Sequence, residues 1–166
     1  MNQPRLVGRS EIPARDLYLA VIEDIRRWPD EIERPRSFVV ITAFDARGLS
    51  TGELNGFTRK LVDQGCRCSC TWGPGAGAVD VAFDFAAITA EEAGAPYADE
   101  IMTSSHEDET LDEALWYAIW NASPPTAPVD GVLGIVAPEW AEHVEKRFED
   151  SEKLNEDVLA AEDDAT

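Results

Sequence analysis

Two short runs constrain the fold more than any other feature of the chain. Phe38-Val39-Val40-Ile41-Thr42-Ala43-Phe44 and Val132-Leu133-Gly134-Ile135-Val136-Ala137 are continuous, apolar and rich in β-branched residues. Neither alternates with polar residues. A strand built from either run therefore buries both faces, as the central strands of a parallel sheet do. A parallel sheet needs crossover helices, and the sequence supplies them. Ser50-Thr51-Gly52-Glu53 is a capping box, in which hydroxyl and carboxylate satisfy free helix N–H groups. Leu54, Phe57, Leu61 and Val62 follow as an apolar stripe, and Gly65 stands where the helix should stop. Leu111, Ala114, Leu115, Ala118, Ile119 and Ala122 give a second 3.6-residue repeat over 109–122. Pro138 opens a last helix with Trp140, Ala141, Val144 and Phe148 on its inner side.

The remaining elements are read around these. Cys66 to Trp72 alternates as a second strand, which puts Cys66, Cys68 and Cys70 on one face at about 6.6 Å spacing. That spacing suits neither a disulfide nor three thiolates on one zinc, and no C-x-x-C is present. Buried thiols are expected. Residues 1–12 read as loose, and Leu17, Ala20, Val21, Ile25 and Trp28 predict a helix from Pro13 to Pro29, with a connector over 29–37. Residues 78–85 fit both periods, and the reading favours a helix running into a short strand near Phe85–Thr89, then a loop over 90–99. Glu100–Ser104 reads as a short strand, and 123–131 as a proline-rich loop.

The predicted fold is a three-layer α/β sandwich with a mostly parallel sheet of four to five strands, flavodoxin- or Rossmann-like. It divides into an N-terminal helix and connector (1–37), an α/β domain (38–148) and an acidic C-terminal tail (149–166).

Charge narrows the function. The net charge is −19, and eight acids against one lysine from Glu149 onward put −7 of it in the tail. Such a surface disfavours nucleic acid and anionic membrane as partners, which need clustered cations. It favours a protein partner, a basic one where charge selects it. No apolar run approaches the roughly 20 residues of a membrane span, and no secretory leader is visible, so a cytoplasmic protein is expected. The tail has only Leu154, Val158 and Leu159 as large apolar residues, so it is expected not to dock.

Candidate chemistry lies at the carboxyl ends of the strands, where open α/β sheets bind ligands. Asp45 follows the first run, Trp72 and a glycine-rich turn follow the second strand, and Glu139 and Trp140 follow the last. Met102 to Trp116 holds Ser104, Ser105, His106, Asp108 and Glu109 before a helix. Asp45, His106 and Asp108 are the candidate acid–base or metal groups. Trp72, Gly73, Gly75, Ser104, Ser105 and Glu109 are candidate ligand contacts. The same residues also read as caps and turns, with Ser105 or Asp108 capping the 109–122 helix. Gly73-Pro74-Gly75-Ala76-Gly77-Ala78 fits G-x-G-x-x-A formally, but it follows the second strand and Pro74 lacks an N–H for an anion, and the reading favours a structural turn. Trp116 and Trp120, one helical turn apart, are either covered by a terminal segment or exposed as a partner-binding patch. His143 reads as an exposed helix residue. No G-x-S-x-G, H-E-x-x-H or P-loop pattern occurs. No metal or cofactor is assigned.

Ala43-Phe44-Asp45, Cys70-Thr71-Trp72-Gly73-Pro74 and His106 to Trp116 together resemble a small bacterial domain family of unknown function, over roughly residues 28–148. A fainter similarity is to TIR-type domains. It implies a nucleotide-directed activity with a helical glutamate, Glu113 here, although Trp116 follows the acids where the TIR pattern places an aromatic residue before its Glu. The expected function is a cytosolic binding or protein-interaction module rather than an enzyme. The alternatives are a small nucleotide- or metal-dependent enzyme with its site at the strand ends, TIR-like or a hydrolase, and an acidic mimic that occupies a nucleic-acid-binding protein.

Overall fold

The computed structural model describes residues 3–165; Met1, Asn2 and Thr166, which the N-terminal and tail readings take in, lie outside the described residues. Six strands form one sheet: β1 (Arg5–Ser10), β2 (Arg15–Val21), β3 (Phe38–Ala43), β4 (Cys66–Trp72), β5 (Met102–Ser105) and β6 (Gly131–Val136). Their order is β1-β2-β6-β3-β4-β5. β1 is antiparallel to β2, and all other neighbours are parallel. The helices are α1 (Thr51–Gln64), α2 (Ala76–Glu92), α3 (Leu111–Trp116), α4 (Pro138–Glu149) and α5 (Ser151–Ala165). Residues Tyr117–Asn121 extend α3 as one π-helical turn.

The two apolar runs sit at the centre as β6 and β3, wholly buried on both faces. Val40, Leu133 and Ile135 pack under α1 and α2 on one face. Val39, Ile41, Val132 and Val136 pack under α3, α4 and α5 on the other. The result is a three-layer α/β sandwich of Rossmann-like type. The capping box of α1 forms as read: Glu53 N–H donates to Ser50 Oγ at 3.1 Å and Ser50 N–H to Glu53 Oε2 at 3.1 Å.

Several expectations are corrected. The sheet has six strands, not four to five, because the N-terminus supplies two. The predicted helix over 13–28 is instead β2 and a 3-10 turn at Ile25–Arg27, and residues 5–10, read as loose, are β1. β2 lies inside the sheet, so Leu17 and Leu19 face one layer and Ala20 and Ile22 the other. Leu17-Tyr18-Leu19-Ala20-Val21 holds no charged residue, which masks the strand alternation in the sequence and leaves a spacing that mimics a helix. Residues 76–92 form one helix, with no strand at Phe85–Thr89. Cys66 does not share a face with Cys68 and Cys70. The register slips between Phe38 and Val39, where Val39 pairs with Cys68, and this bulge turns Cys66 to the α1–α2 side. The acidic tail is α5, with Ser151, Leu154 and Val158 buried. Its apolar side docks on the α3–α4 layer, and its charge faces out.

Candidate functional site

The parallel strands all end on one edge, and the loops there form two separate groupings. The first lies where the chain parts to opposite layers. β3 leads to α1 on one face while its neighbour β6 leads to α4 on the other. Such a divergence opens a crevice beyond the strand ends. Here it is an open cleft of about 590 Å³ between the loops after β2, β3 and β6. Its floor is apolar, from Ile22, Ile25, Phe44 and Leu49. Five carboxylates line it (Glu23, Asp24, Asp45, Glu53 and Glu139) against one guanidinium, Arg26, among the described residues.

These acids differ in what already holds them. Arg26 grips Asp24 through Nε to Oδ1 and Nη2 to Oδ2, each at 2.9 Å. Asp45 takes Arg47 in the same fork, at 3.0 and 2.8 Å, and also accepts the Arg47 backbone N–H. These bonds hold the Asp45 carboxyl down to about 2. Glu53 is turned to the α1 N-terminus and lies 4.0 Å from Arg26 Nη1. Glu23 and Glu139 are exposed, and among the described residues neither has a hydrogen-bond or ion-pair partner. The cleft is thus apolar below, with carboxylates in excess of cations around its rim.

The second grouping is at the ends of β4 and β5. His106 is buried, with 3% of its surface exposed. Its Nε2 lies 2.8 Å from Ser104 Oγ and its Nδ1 2.8 Å from Glu109 Oε2. With Nδ1–H donating to Glu109 and Nε2 accepting the Ser104 hydroxyl, both bonds are satisfied. The order hydroxyl–imidazole–carboxylate is that of a nucleophile, its base and the base's orienting group. The surroundings are closely packed. The space beside Ser104, lined by Cys68, Met102, Tyr117 and Ala122 among others, holds about 20 Å³, room for no substrate. Burial pushes the Cys68 and Cys70 thiols beneath it up to about 11 and about 12, so both stay protonated. Trp72 Nε1–H donates to the Glu109 carbonyl at 2.9 Å, and the His106 ring packs on Tyr117 at 4.7 Å between centroids. The set braces the 106–109 turn against the sheet.

Asp45 and His106 therefore share the sheet edge, as parallel strands require, but β4 stands between their strands and they share no bond. Asp108 is exposed and, among the described residues, has no hydrogen-bond partner. Ser105 is exposed at the end of β5. Neither Ser105 nor Asp108 caps the helix. Thr110 does, with Glu113 completing a capping box that the sequence reading passed over. Gly73 and Gly75 have φ of +109° and +78°. A Cβ on Gly73 would stand 2.6 Å from the Phe44 carbonyl oxygen, and the Pro74 carbonyl accepts the Ala46 N–H at 2.8 Å. The glycine turn serves this close approach of the 44–47 loop. Trp72 instead meets Trp140 edge to face at 5.0 Å. Trp116 and Trp120 stack at 6.1 Å and are half-buried, Trp116 donating to Asn155 of α5 and Trp120 to the Ile12 carbonyl. His143 lies 2.7 Å from Asp112. Among the described residues no three His, Cys, Asp or Glu side chains come together as metal ligands.

A family of domains of unknown function, DUF7684, matches residues 17–153, from inside β2 to the start of α5. The chain belongs to that family. The DUF7684 match includes every loop of the cleft and the whole brace at His106. No curated protein matches the chain and no solved structure does. Among the described residues no helix is long and apolar enough to cross a membrane.

Proposed function

We propose that this DUF7684 protein is a binding module whose strand-end cleft receives cationic side chains of a basic protein partner. One observation carries the reading: a cleft of about 590 Å³ has an apolar floor and a rim on which Glu23 and Glu139 have no partner among the described residues. A lysine or arginine suits both features, its methylenes covering the floor and its charge meeting the rim. The position is where this architecture places ligands, and the net charge of −19 steers a basic partner towards it. The TIR-type alternative takes Glu113 as its acid; that carboxylate accepts the Thr110 N–H at the start of α3.

Pentalysine, titrated calorimetrically at low salt, tests the reading. Glu23→Gln with Glu139→Gln should weaken binding by about tenfold, the roughly 1.4 kcal/mol that two exposed charge contacts supply. Glu152→Gln with Glu162→Gln removes the same charge from exposed positions on α5 and should leave affinity nearly unchanged. Equal losses in the two variants would mean diffuse attraction to an acidic surface and would sink the proposal.

A further inference from the structure

The outer face of α2 carries a row of exposed apolar side chains. Val81, Phe85 and Ile88 are 63, 62 and 54% exposed. Their spacing of four and three residues puts them on one side of the helix, with Ala78 one turn before. The inner side, Val79, Ala82, Phe83, Ala86 and Ala90, is fully used against α1 and the sheet. The stripe is thus an apolar face the fold does not need. At 1.5 Å per residue Val81 to Ile88 runs about 10 Å, and Phe85 also borders a groove of about 210 Å³ between α1 and α2. A continuous exposed apolar stripe on a soluble domain marks a contact surface.

Charge says what covers it. α2 carries Asp80, Asp84, Glu91 and Glu92 and no lysine or arginine. On the helix, Asp84 and Glu91 lie three residues after Val81 and Ile88, along one flank of the stripe. Arg59 of α1 stands on the groove side. A second copy would bring two surfaces of net −19 together, and an anionic membrane or nucleic acid meets the same repulsion. We infer that the outer face of α2 docks an amphipathic helix of a partner protein, apolar side on Val81, Phe85 and Ile88 and basic side towards Asp84 and Glu91. Helix-on-helix recognition reads such i, i+4, i+7 anchors. This surface lies over the β4–β5 half of the sheet, apart from the cleft between β2, β6 and β3, so the inference goes beyond the cleft reading and does not depend on it.

The probe is a fluorescein-labelled leucine–lysine peptide of about 14 residues with leucines at i, i+3, i+4 and i+7, read by anisotropy. The control has the same composition with the period scrambled. The periodic peptide should bind at least about tenfold tighter than the scrambled one. Val81→Ser with Phe85→Ser and Ile88→Ser should remove that difference while the melting temperature holds, since all three side chains are exposed. Glu91→Gln should weaken binding and flatten its salt dependence. Glu23→Gln with Glu139→Gln should leave this binding unchanged, which separates it from the cleft. Equal binding of both peptides, or an unaffected serine variant, overturns the inference. So does a wild-type dimer in sedimentation that Phe85→Ser converts to monomer, because the occupant is then a second copy.

Discussion

His106 carries a hydroxyl–imidazole–carboxylate geometry within a closely packed brace. Both ring nitrogens are bonded, to Ser104 and Glu109, and the ring is buried on Tyr117. The space at Ser104 is too small for a substrate, and Trp72 pins the turn that supplies Glu109. His106→Ala should therefore cost about 2–3 kcal/mol, from lost hydrogen bonds and lost packing. Ser104→Ala should cost under about 1 kcal/mol, because the hydroxyl is partly exposed. A fluorophosphonate probe should leave the wild type unlabelled. Labelling at Ser104 that disappears in His106→Ala would identify an activated serine and turn the brace into an active site. Ser104, His106 and Glu109 all stand out in the sequence, but their union does not. Joining them needs β5 to place residues 104 and 106 on one side and the turn to fold Glu109 back.

Among the elements, α3, α4 and α5 are tied by charge as well as by packing. Asp112 at the start of α3 binds Arg147 of α4 at 2.7 Å, and Arg147 binds Asp157 of α5 at 2.9 Å. Burial alone would raise the Asp112 carboxyl; the bonds from Arg147 and His143 outweigh it and hold the carboxyl below its ordinary value. A depressed value in the folded state gives stability that is present above the unfolded value of about 3.9 and lost as pH falls through the folded value. Asp112→Asn should then cost about 1–2 kcal/mol at neutral pH and less near pH 3, below the unfolded value, where the contribution is already falling. Urea denaturation at both pH values checks this, and an equal cost at each would refute it. The legible elements are those with one dominant pattern. β3 and β6 are unbroken apolar runs, and α1 has its capping box and stripe. β2 was illegible because Leu17 to Val21 holds no charged residue to mark the alternation, and the cleft was lost with it, since Glu23, Asp24 and Arg26 leave its end. α2 was ambiguous because it is apolar inside and out, which is the property proposed here for partner recognition.

At the scale of the whole molecule, the tail is where charge and packing oppose each other. Residues 149–166 contribute −7 to the net −19. Composition alone sees that charge and misses that α5 seats Leu154 and Val158 in the core beside Phe148, bonds Trp116 through Asn155 and meets Arg147 through Asp157. Ending the chain after Glu149 removes these contacts and bares one side of α3. Loss of buried side chains of this size costs about 2–5 kcal/mol for a leucine alone. In a chain of this length each kcal/mol moves the melting temperature by about 2–4 °C, so a fall of about 10 °C or more is expected. Removing residues 150–166, seven acids and one lysine, takes away a net six negative charges and works the other way by easing self-repulsion. The two effects separate with salt. In about 1 M NaCl the Debye length is about 3 Å and the repulsion is screened, so the truncated chain should fall further below the full chain there than at low salt. Leu154→Ala, which leaves the charge intact, should lose about 2–5 kcal/mol at either salt. A truncated chain that melts within about 3 °C of the full one in high salt, a difference of at most about 1–2 kcal/mol, would mean that α5 contributes charge and no core.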